Sequence, residues 1–291
     1  MVEDGDAGLA DLSAGLFPHT GGAYTVGLTG SPGVGKSTVA AELVRTARAR
    51  GLRAAVLAID PTSPFSGGAL LGDRVRMQDH ATDPGVFIRS MATRGHLGGM
   101  ALATPEAVRI LEAAGFELVL VETVGVGQAE VDVAAATDTT LVVVTPGWGD
   151  AVQVAKAGIL EIADVFVVNK ADREGADAAA ADLEQMLRLG PPLAWTPPVV
   201  KTAAATGEGI EDLWEAIRAH RAHLEATGEL ERARRRRLVR EVESLAVESL
   251  RTRVRTLLDV ERDLVEDVMA RRVDPYRAAA RIVERLGGGA M

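Results

Sequence analysis

Gly30-Ser31-Pro32-Gly33-Val34-Gly35-Lys36-Ser37 sets two glycines with four residues between them directly before a lysine and a serine. The stretch follows an apolar run at 24–29 that reads as a strand, and it opens a helical pattern. Chemistry that grips a polyphosphate needs these residue types in this order. Glycines let backbone N–H groups converge on phosphate oxygens, and the helix N-terminus adds a favourable dipole. Lys36 reaches the outer phosphates and the Ser37 hydroxyl is a magnesium ligand, with Thr38 next in the helix. The nucleotide-binding residues expected here are Gly30, Ser31, Pro32, Gly33, Val34, Gly35, Lys36, Ser37 and Thr38.

Outward from this loop, short β-branched runs recur at 24–29, 54–59, 86–89, 118–121, 141–144, 165–168 and 199–201, with helical stretches between them. Nearly continuous apolar strands alternating with helices predict an α/β fold, a doubly wound, mostly parallel sheet covered on both faces. Residues 1–21 carry no clear strand and read as an N-terminal segment, and 22–225 as the phosphate-loop domain. After about residue 226 the strand signals stop. Residues 229–286 read as helix, with Leu238, Val242, Leu245 and then Leu250, Val254, Leu257 at three-and-four spacing, so 226–291 is a helical arm. The basic run 234–237 is flanked by Glu229, Glu231, Glu241 and Glu243 and reads as a solvated helix face.

Base choice comes from Asn169-Lys170-Ala171-Asp172, directly after the apolar run 165–168. A carboxylate at Asp172 accepts two hydrogen bonds from the ring N–H and exocyclic amine of guanine; adenine lacks that donor pair. GTP and GDP are therefore the expected ligands, with Asn169, Lys170 and Asp172 in the base pocket. Ala203, Ala204 and Ala205, after the last strand, sit where G proteins place a second guanine loop. Glu122-Thr123-Val124-Gly125 ends the run 118–121, where such proteins usually carry Asp-x-x-Gly. A carboxylate there holds magnesium directly or through water, and the Gly125 N–H senses the terminal phosphate. The position after that glycine, where Ras-like G proteins carry a water-orienting Gln, is Val126, so slow intrinsic hydrolysis is expected. Asp60 ends the second strand and is a candidate near magnesium, beside Ser37 and Glu122. Asp73 lies in a Gly-rich connection, and Arg94, with Gly95, His96, Gly98 and Gly99, forms a polar stretch suited to a nucleotide-sensing switch.

Composition narrows the surroundings. The net charge of −9 and pI near 5.2 over 291 residues give no general attraction to nucleic acid or anionic lipid. Cysteine is absent, which removes disulfides, thiolate metal sites and thiol nucleophiles. The first ten residues contain three acids and no base, and no apolar run approaches a membrane span, so a cytoplasmic protein is expected.

The strings Ser90-Met91-Ala92-Thr93-Arg94-Gly95-His96-Leu97-Gly98-Gly99, Val121-Glu122-Thr123-Val124-Gly125-Val126-Gly127-Gln128 and Ala157-Gly158-Ile159-Leu160-Glu161-Ile162-Ala163-Asp164, with Asn169 to follow, resemble the MeaB/ArgK family. The resemblance covers about residue 16 to the end of the arm. It implies a homodimeric GTPase chaperone of methylmalonyl-CoA mutase or a related adenosylcobalamin-dependent acyl-CoA mutase, guarding the enzyme and gating its cofactor loading. By the same resemblance Lys36, Asp60, Asp73 and Glu122 fall on phosphate and magnesium residues. Segment 147–157 falls on a further switch that reaches the mutase, and the arm on the dimerisation arm. The chain departs from the family in starting with less N-terminal helix and in carrying Ala203 where Ser is usual. A metallochaperone GTPase of the hydrogenase or urease maturation type shares this domain and is the alternative. Nickel delivery calls for Cys or His clusters, whereas His19, His80, His96, His220 and His223 are scattered and only the last two share a helix face. A transport-linked kinase would need a base positioning its acceptor and, for ATP, a different base pocket.

Overall fold

In a computed structural model of the chain, which describes residues 8–61, 82–93, 99–123, 129–147 and 159–287, all seven apolar runs form strands. They are β1 (Tyr24–Thr29), β2 (Ala54–Pro61), β3 (Val86–Thr93), β4 (Leu118–Thr123), β5 (Thr139–Val144), β6 (Val165–Asn169) and β7 (Val199–Thr202). They pair in the order β3-β2-β4-β1-β5-β6-β7, and every ladder between them is parallel. The order reverses direction at β1, which carries the phosphate loop. That is the position where doubly wound sheets bind ligands, outside the carboxyl ends of the strands.

Helices α1 (Leu9–Leu16), α2 (Lys36–Ala49), α3 (Gly99–Ala113), α4 (Ala129–Ala136), α5 (Ile159–Ile162), α6 (Ala176–Leu189) and α7 (Ile210–Thr227) accompany the sheet, with a 3-10 turn at Phe17–His19. Period-two alternation sends successive residues of one strand to opposite faces. Val26, Leu28, Leu120 and Val143 thus pack with Val39, Leu43 and Val44 of α2 and Leu213 and Ile217 of α7. Their neighbours Val119 and Val121 pack with Val108 and Leu111 of α3 and Val133 of α4, while Val142, Val144 and Phe166 pack with Leu183 of α6. Both faces are covered, which explains why the strands read as apolar throughout.

The chain divides into two compact units, residues 1–237 and 238–291. Helix α8 (Glu229–Val260) begins in the first and continues into the second, where α9 (Arg262–Met269) and α10 (Pro275–Gly287) follow. The single helix expected over 229–286 is therefore three. Its break before α10 has a local cause: the Asp274 carboxylate accepts from the Tyr276 and Arg277 N–H groups at 3.0 and 3.1 Å, and Pro275 takes the first helical position. Within the second unit Leu264, Ala278 and Ile282 form a small core with Val254, Leu257 and Val268. Val254 and Leu257 are consumed there, whereas Leu238, Val242, Leu245 and Leu250 remain exposed.

The connection from α6 to β7, 190–198, enters the sheet at the edge opposite the phosphate loop. Its residues 191–194 are exposed, while Trp195 anchors its far side by donating its ring N–H to the Asp164 carbonyl at 2.8 Å.

Candidate nucleotide site

Four strand ends build the site, and parallel pairing is what brings them together. Glu122 lies near the end of β4 in register with Leu28 of β1, and Asn169 at the end of β6 is in register with Thr202 of β7. The loop after β1, the carboxylate on β4, the tetrad after β6 and the turn after β7 thus open at one edge of the sheet.

The phosphate loop is held in its curled form from both sides. Gly30 has φ +136°, and a Cβ there would stand 2.2 Å from the Val143 carbonyl oxygen of β5; Gly35 has φ +97°, and a Cβ there would stand 2.4 Å from Asn169 Nδ2. No side chain fits at either position. Gly35 caps α2, so the N–H groups of the first helical turn face the loop's mouth. Lys36 is buried and spans the loop, its Nζ donating to the carbonyl oxygens of Gly30 at 2.6 Å and Ser31 at 3.2 Å. Ser31, Pro32, Gly33 and Val34 form the loop's crest, with only Val34 buried, and Thr38 follows within α2.

Ser37 and Glu122 are both buried, and the Ser37 hydroxyl donates to Glu122 Oε1 at 2.7 Å. Two hard oxygen donors in contact below a phosphate loop suit magnesium, which takes carboxylate and hydroxyl oxygens. Asp60 lies on β2 two positions beyond Ala58, the residue in register with Glu122. Asp60 and Glu122 therefore lie on adjacent strands. Asp73, Arg94, Gly125, Val126 and Gln128 lie outside the described residues, as do 148–157 of the segment 147–157.

Asn169 is spent on the protein. Its buried amide donates from Nδ2 to the Val34 carbonyl at 2.8 Å and accepts at Oδ1 from Thr202 Oγ1 at 3.1 Å and the Ala204 N–H at 3.2 Å. One side chain thereby ties the phosphate loop to the turn after β7. Lys170 adds a second tie, Nζ to the Gly33 carbonyl at 2.6 Å, from a backbone at φ +60° that a non-glycine residue seldom adopts. Asp172, two residues beyond Lys170, is exposed. Ala203 and Ala204 are buried and Ala205 is exposed. The turn they begin is closed by Ala203 N–H to the Glu208 carbonyl at 3.0 Å and by the Thr206 hydroxyl to the Ala203 carbonyl at 3.0 Å. Sequence reasoning did not find the Thr202 and Thr206 hydroxyls, which carry no pattern of their own.

The basic run at the start of α8 is corrected by the structure. Arg235 and Arg236 are exposed, but Arg234 and Arg237 turn inward together onto Asp138, the residue before β5. Their spacing of three puts both on one helix face, and the Asp138 carboxylate, almost fully buried, supplies the charge that takes them out of solvent.

With this geometry established, likeness to known proteins is informative. A family model described as "Methylmalonyl Co-A mutase-associated GTPase MeaB" matches residues 4–259. A putative GTPase of Pyrococcus horikoshii is 48% identical over 292 residues, covering 99% of this chain and 92% of that one. Among solved structures, the crystal structure of an LAO/AO transport system kinase superposes with a TM-score of 0.70 at 27% identity, covering 96% of this chain and 86% of that one. HypB from Helicobacter pylori, crystallised in complex with nickel, gives 0.53 at 16% identity over 76% of this chain and 96% of that one, a likeness of fold alone.

Proposed function

The chain belongs to the MeaB family of methylmalonyl-CoA mutase-associated GTPases, and from that membership we propose that it is a nucleotide-gated chaperone of an adenosylcobalamin-dependent acyl-CoA mutase, guarding that enzyme and gating its cofactor loading. The observation that supports the site chemistry is the joining of three motifs by side-chain bonds at one sheet edge: Lys36 across its loop, Ser37 on Glu122, and Asn169 between Val34 and Ala204. Guanine is read by the exposed Asp172 carboxylate, with Ala203, Ala204 and Ala205 lining the second guanine loop. Lys36 exchanges its loop carbonyls for the outer phosphates and offsets charge that moves onto the leaving oxygen during hydrolysis.

Magnesium, held by Ser37 and Glu122 with Asp60, would neutralise phosphate charge there. Asp73 and Arg94 are proposed to complete the catalytic centre and Gly125 to sense the terminal phosphate, on the strength of the motifs alone. The exposed stripe Leu238, Val242, Leu245 supports a homodimer through α8, because a solvated monomer gains nothing from apolar residues at helical spacing. Among the described residues no helix is long and apolar enough to cross a membrane, and we place the protein in the cytoplasm. The metallochaperone alternative has the fold in its favour and no cysteine to carry nickel.

Single-turnover phosphate release, measured with and without candidate mutases, tests the reading. With Val126 at the water-orienting position, slow hydrolysis by the isolated protein is expected, accelerated by the cognate mutase; partner-supplied groups raise turnover by about 10³ to 10⁵ in other GTPases. Equal rates with a mutase shown to bind would sink the gating role and leave the GTPase intact.

A further inference from the structure

Asp138 stands at a crossing of the fold that the nucleotide chemistry leaves unused. Its N–H donates to the Thr25 carbonyl at 2.9 Å, and its Oδ2 accepts from the Thr25 N–H at 3.1 Å, so it is bolted to β1 five residues before the phosphate loop begins at Gly30. Arg234 grips the same carboxylate with two nitrogens, Nη2 to Oδ2 at 2.7 Å and Nε to Oδ1 at 3.2 Å, and Arg237 Nη2 takes Oδ1 as well. Burial by itself raises the carboxyl pKa, but the hydrogen-bonded Arg234 and the charge of Arg237 outweigh it and hold Asp138 below the usual carboxylate range.

The two arginines also reach the backbone on either side. Arg237 Nη1 donates to the Thr137 carbonyl at 2.5 Å, just past the end of α4, and Arg234 donates to the carbonyls of Gly21 and Ala23 at 2.7 and 2.8 Å. Helix α4 is seated on β1 with no slack. A Cβ at Gly27 would stand 2.4 Å from Val133 Cγ1 and 2.6 Å from Thr137 Oγ1. Its other end is separated only by 124–128 from the end of β4, which carries Glu122. A shift of α4 therefore either carries the root of α8 with it or breaks hydrogen bonds to a buried charge.

We propose that Asp138, gripped by Arg234 and Arg237, is a positioning joint that couples α4, and through it the phosphate-sensing end of β4, to the root of α8. Nucleotide state and the set of that root then bias one another. Such coupling is reciprocal in binding free energy, so loosening the joint changes how the site discriminates GTP from GDP although no residue of the joint touches nucleotide. The inference rests on the GTPase reading and is independent of the mutase.

The test uses the full chain loaded with GDP or with a non-hydrolysable GTP analogue. Hydrogen exchange is followed at 229–237, and the affinity for each nucleotide is measured in the parent and in Asp138→Asn. Exchange at 229–237 is expected to differ between the two nucleotides in the parent and to become equal in the variant. The ratio of the two affinities should shift by about fivefold or more, the lower end of ordinary coupling. Arg237→Gln, which leaves Arg234 on the carboxylate, serves if Asp138→Asn does not fold. Identical exchange in both parent states, or a variant that weakens both nucleotides equally, makes the joint a fixed support and overturns the proposal. A parent that binds neither nucleotide overturns it together with the GTPase reading beneath it.

Discussion

Replacing Asn169 by Ala removes one side chain and cuts three hydrogen bonds, at 2.8 Å to Val34, 3.1 Å from Thr202 and 3.2 Å from Ala204. Val34 and Ala204 are themselves buried, so their backbone groups lose a partner where water is scarce. A buried backbone group left unsatisfied costs about 1–3 kcal/mol, and two of them together about 2–6 kcal/mol. The loops relax in part when no nucleotide holds them, so the cost divides between folding and binding. The expectation is a loss of about 1–2 kcal/mol in denaturant unfolding without nucleotide. The remainder, about 1–4 kcal/mol, appears as GDP affinity weakened by about 5- to 700-fold, at about 1.4 kcal/mol per decade. Because Asn169 bonds the crest of the phosphate loop and the guanine turn but has no bond to Lys36 or Glu122, GDP and a GTP analogue should lose equally. Asn169→Asp keeps the acceptor for Thr202 and Ala204 but turns a buried carboxylate oxygen onto the Val34 carbonyl, so it should weaken binding at least as much as Ala. Fluorescent-nucleotide titration with parallel urea unfolding measures both quantities. GDP affinity within about threefold of the parent, a difference of about 0.7 kcal/mol, would refute the claim that this amide braces the site.

Three further expectations concern the base, the arm and a buried acid. Asp172→Asn should weaken GTP and favour xanthosine triphosphate, since an amide offers a donor where xanthine presents a carbonyl; unchanged GTP affinity in a titration removes residues 169–172 from the base pocket. Val242→Glu with Leu245→Glu, both at exposed positions of α8, should turn a dimer into monomers by sedimentation, and a parent already monomeric at micromolar concentration with either nucleotide refutes the dimer. Burial pushes the Asp164 carboxyl up to about 7 against the opposing Thr140 N–H bond, and burial followed by His223 pushes its neighbour His220 down to about 4. Between about pH 4 and 6.5 the folded pair holds one proton, on Asp164, and the unfolded pair also holds one, on His220, so the pair leaves stability flat there. In His220→Gln only the raised acid remains, and stability should fall as pH rises from about 4 to 7, by less than about 1.4 kcal/mol per unit because Asp164 is partly open to solvent. A flat profile in the variant would mean that Asp164 does not hold its proton in the fold.

The seven strands were legible because a parallel sheet buried on both faces needs unbroken apolar runs, and 141–144 or 165–168 can hardly be read otherwise. Strand ends were less so. β5 begins at Thr139 and Thr140, whose polarity hides the fact that both are buried and bonded: the Thr139 hydroxyl to Tyr24 at 2.6 Å and His220 at 2.9 Å, and the Thr140 N–H to Asp164 at 2.7 Å. β3 runs on to Thr93, past the polar Arg89 and Ser90, because as the outer strand it needs β2 on one side only. The phosphate loop and tetrad declared themselves by residue type at fixed spacing. That Asn169 would serve as a brace could not be read, because its partners lie 135 and 35 residues away in sequence. Arg234 and Arg237 likewise find Asp138 at separations of 96 and 99, and only their three-residue spacing hinted at a shared target. The α8–α9 break at Glu261 has no Gly or Pro to announce it.

An all-parallel sheet also sorts its connections by direction, and this bears on where the chain can be altered. Among the described residues, the loops that leave β1, β6 and β7 open at the edge that carries the phosphate loop and the tetrad, and the connections that enter β4 and β7 lie at the opposite edge. The exposed stretch 191–194 belongs to the second kind, and exposed loop tips of this sort accept insertions best. A fluorescent protein, an affinity handle or an immobilisation tag spliced there, clear of Trp195, would attach at the sheet edge opposite the phosphate loop and leave the strand ends that carry Glu122 and Asn169 untouched.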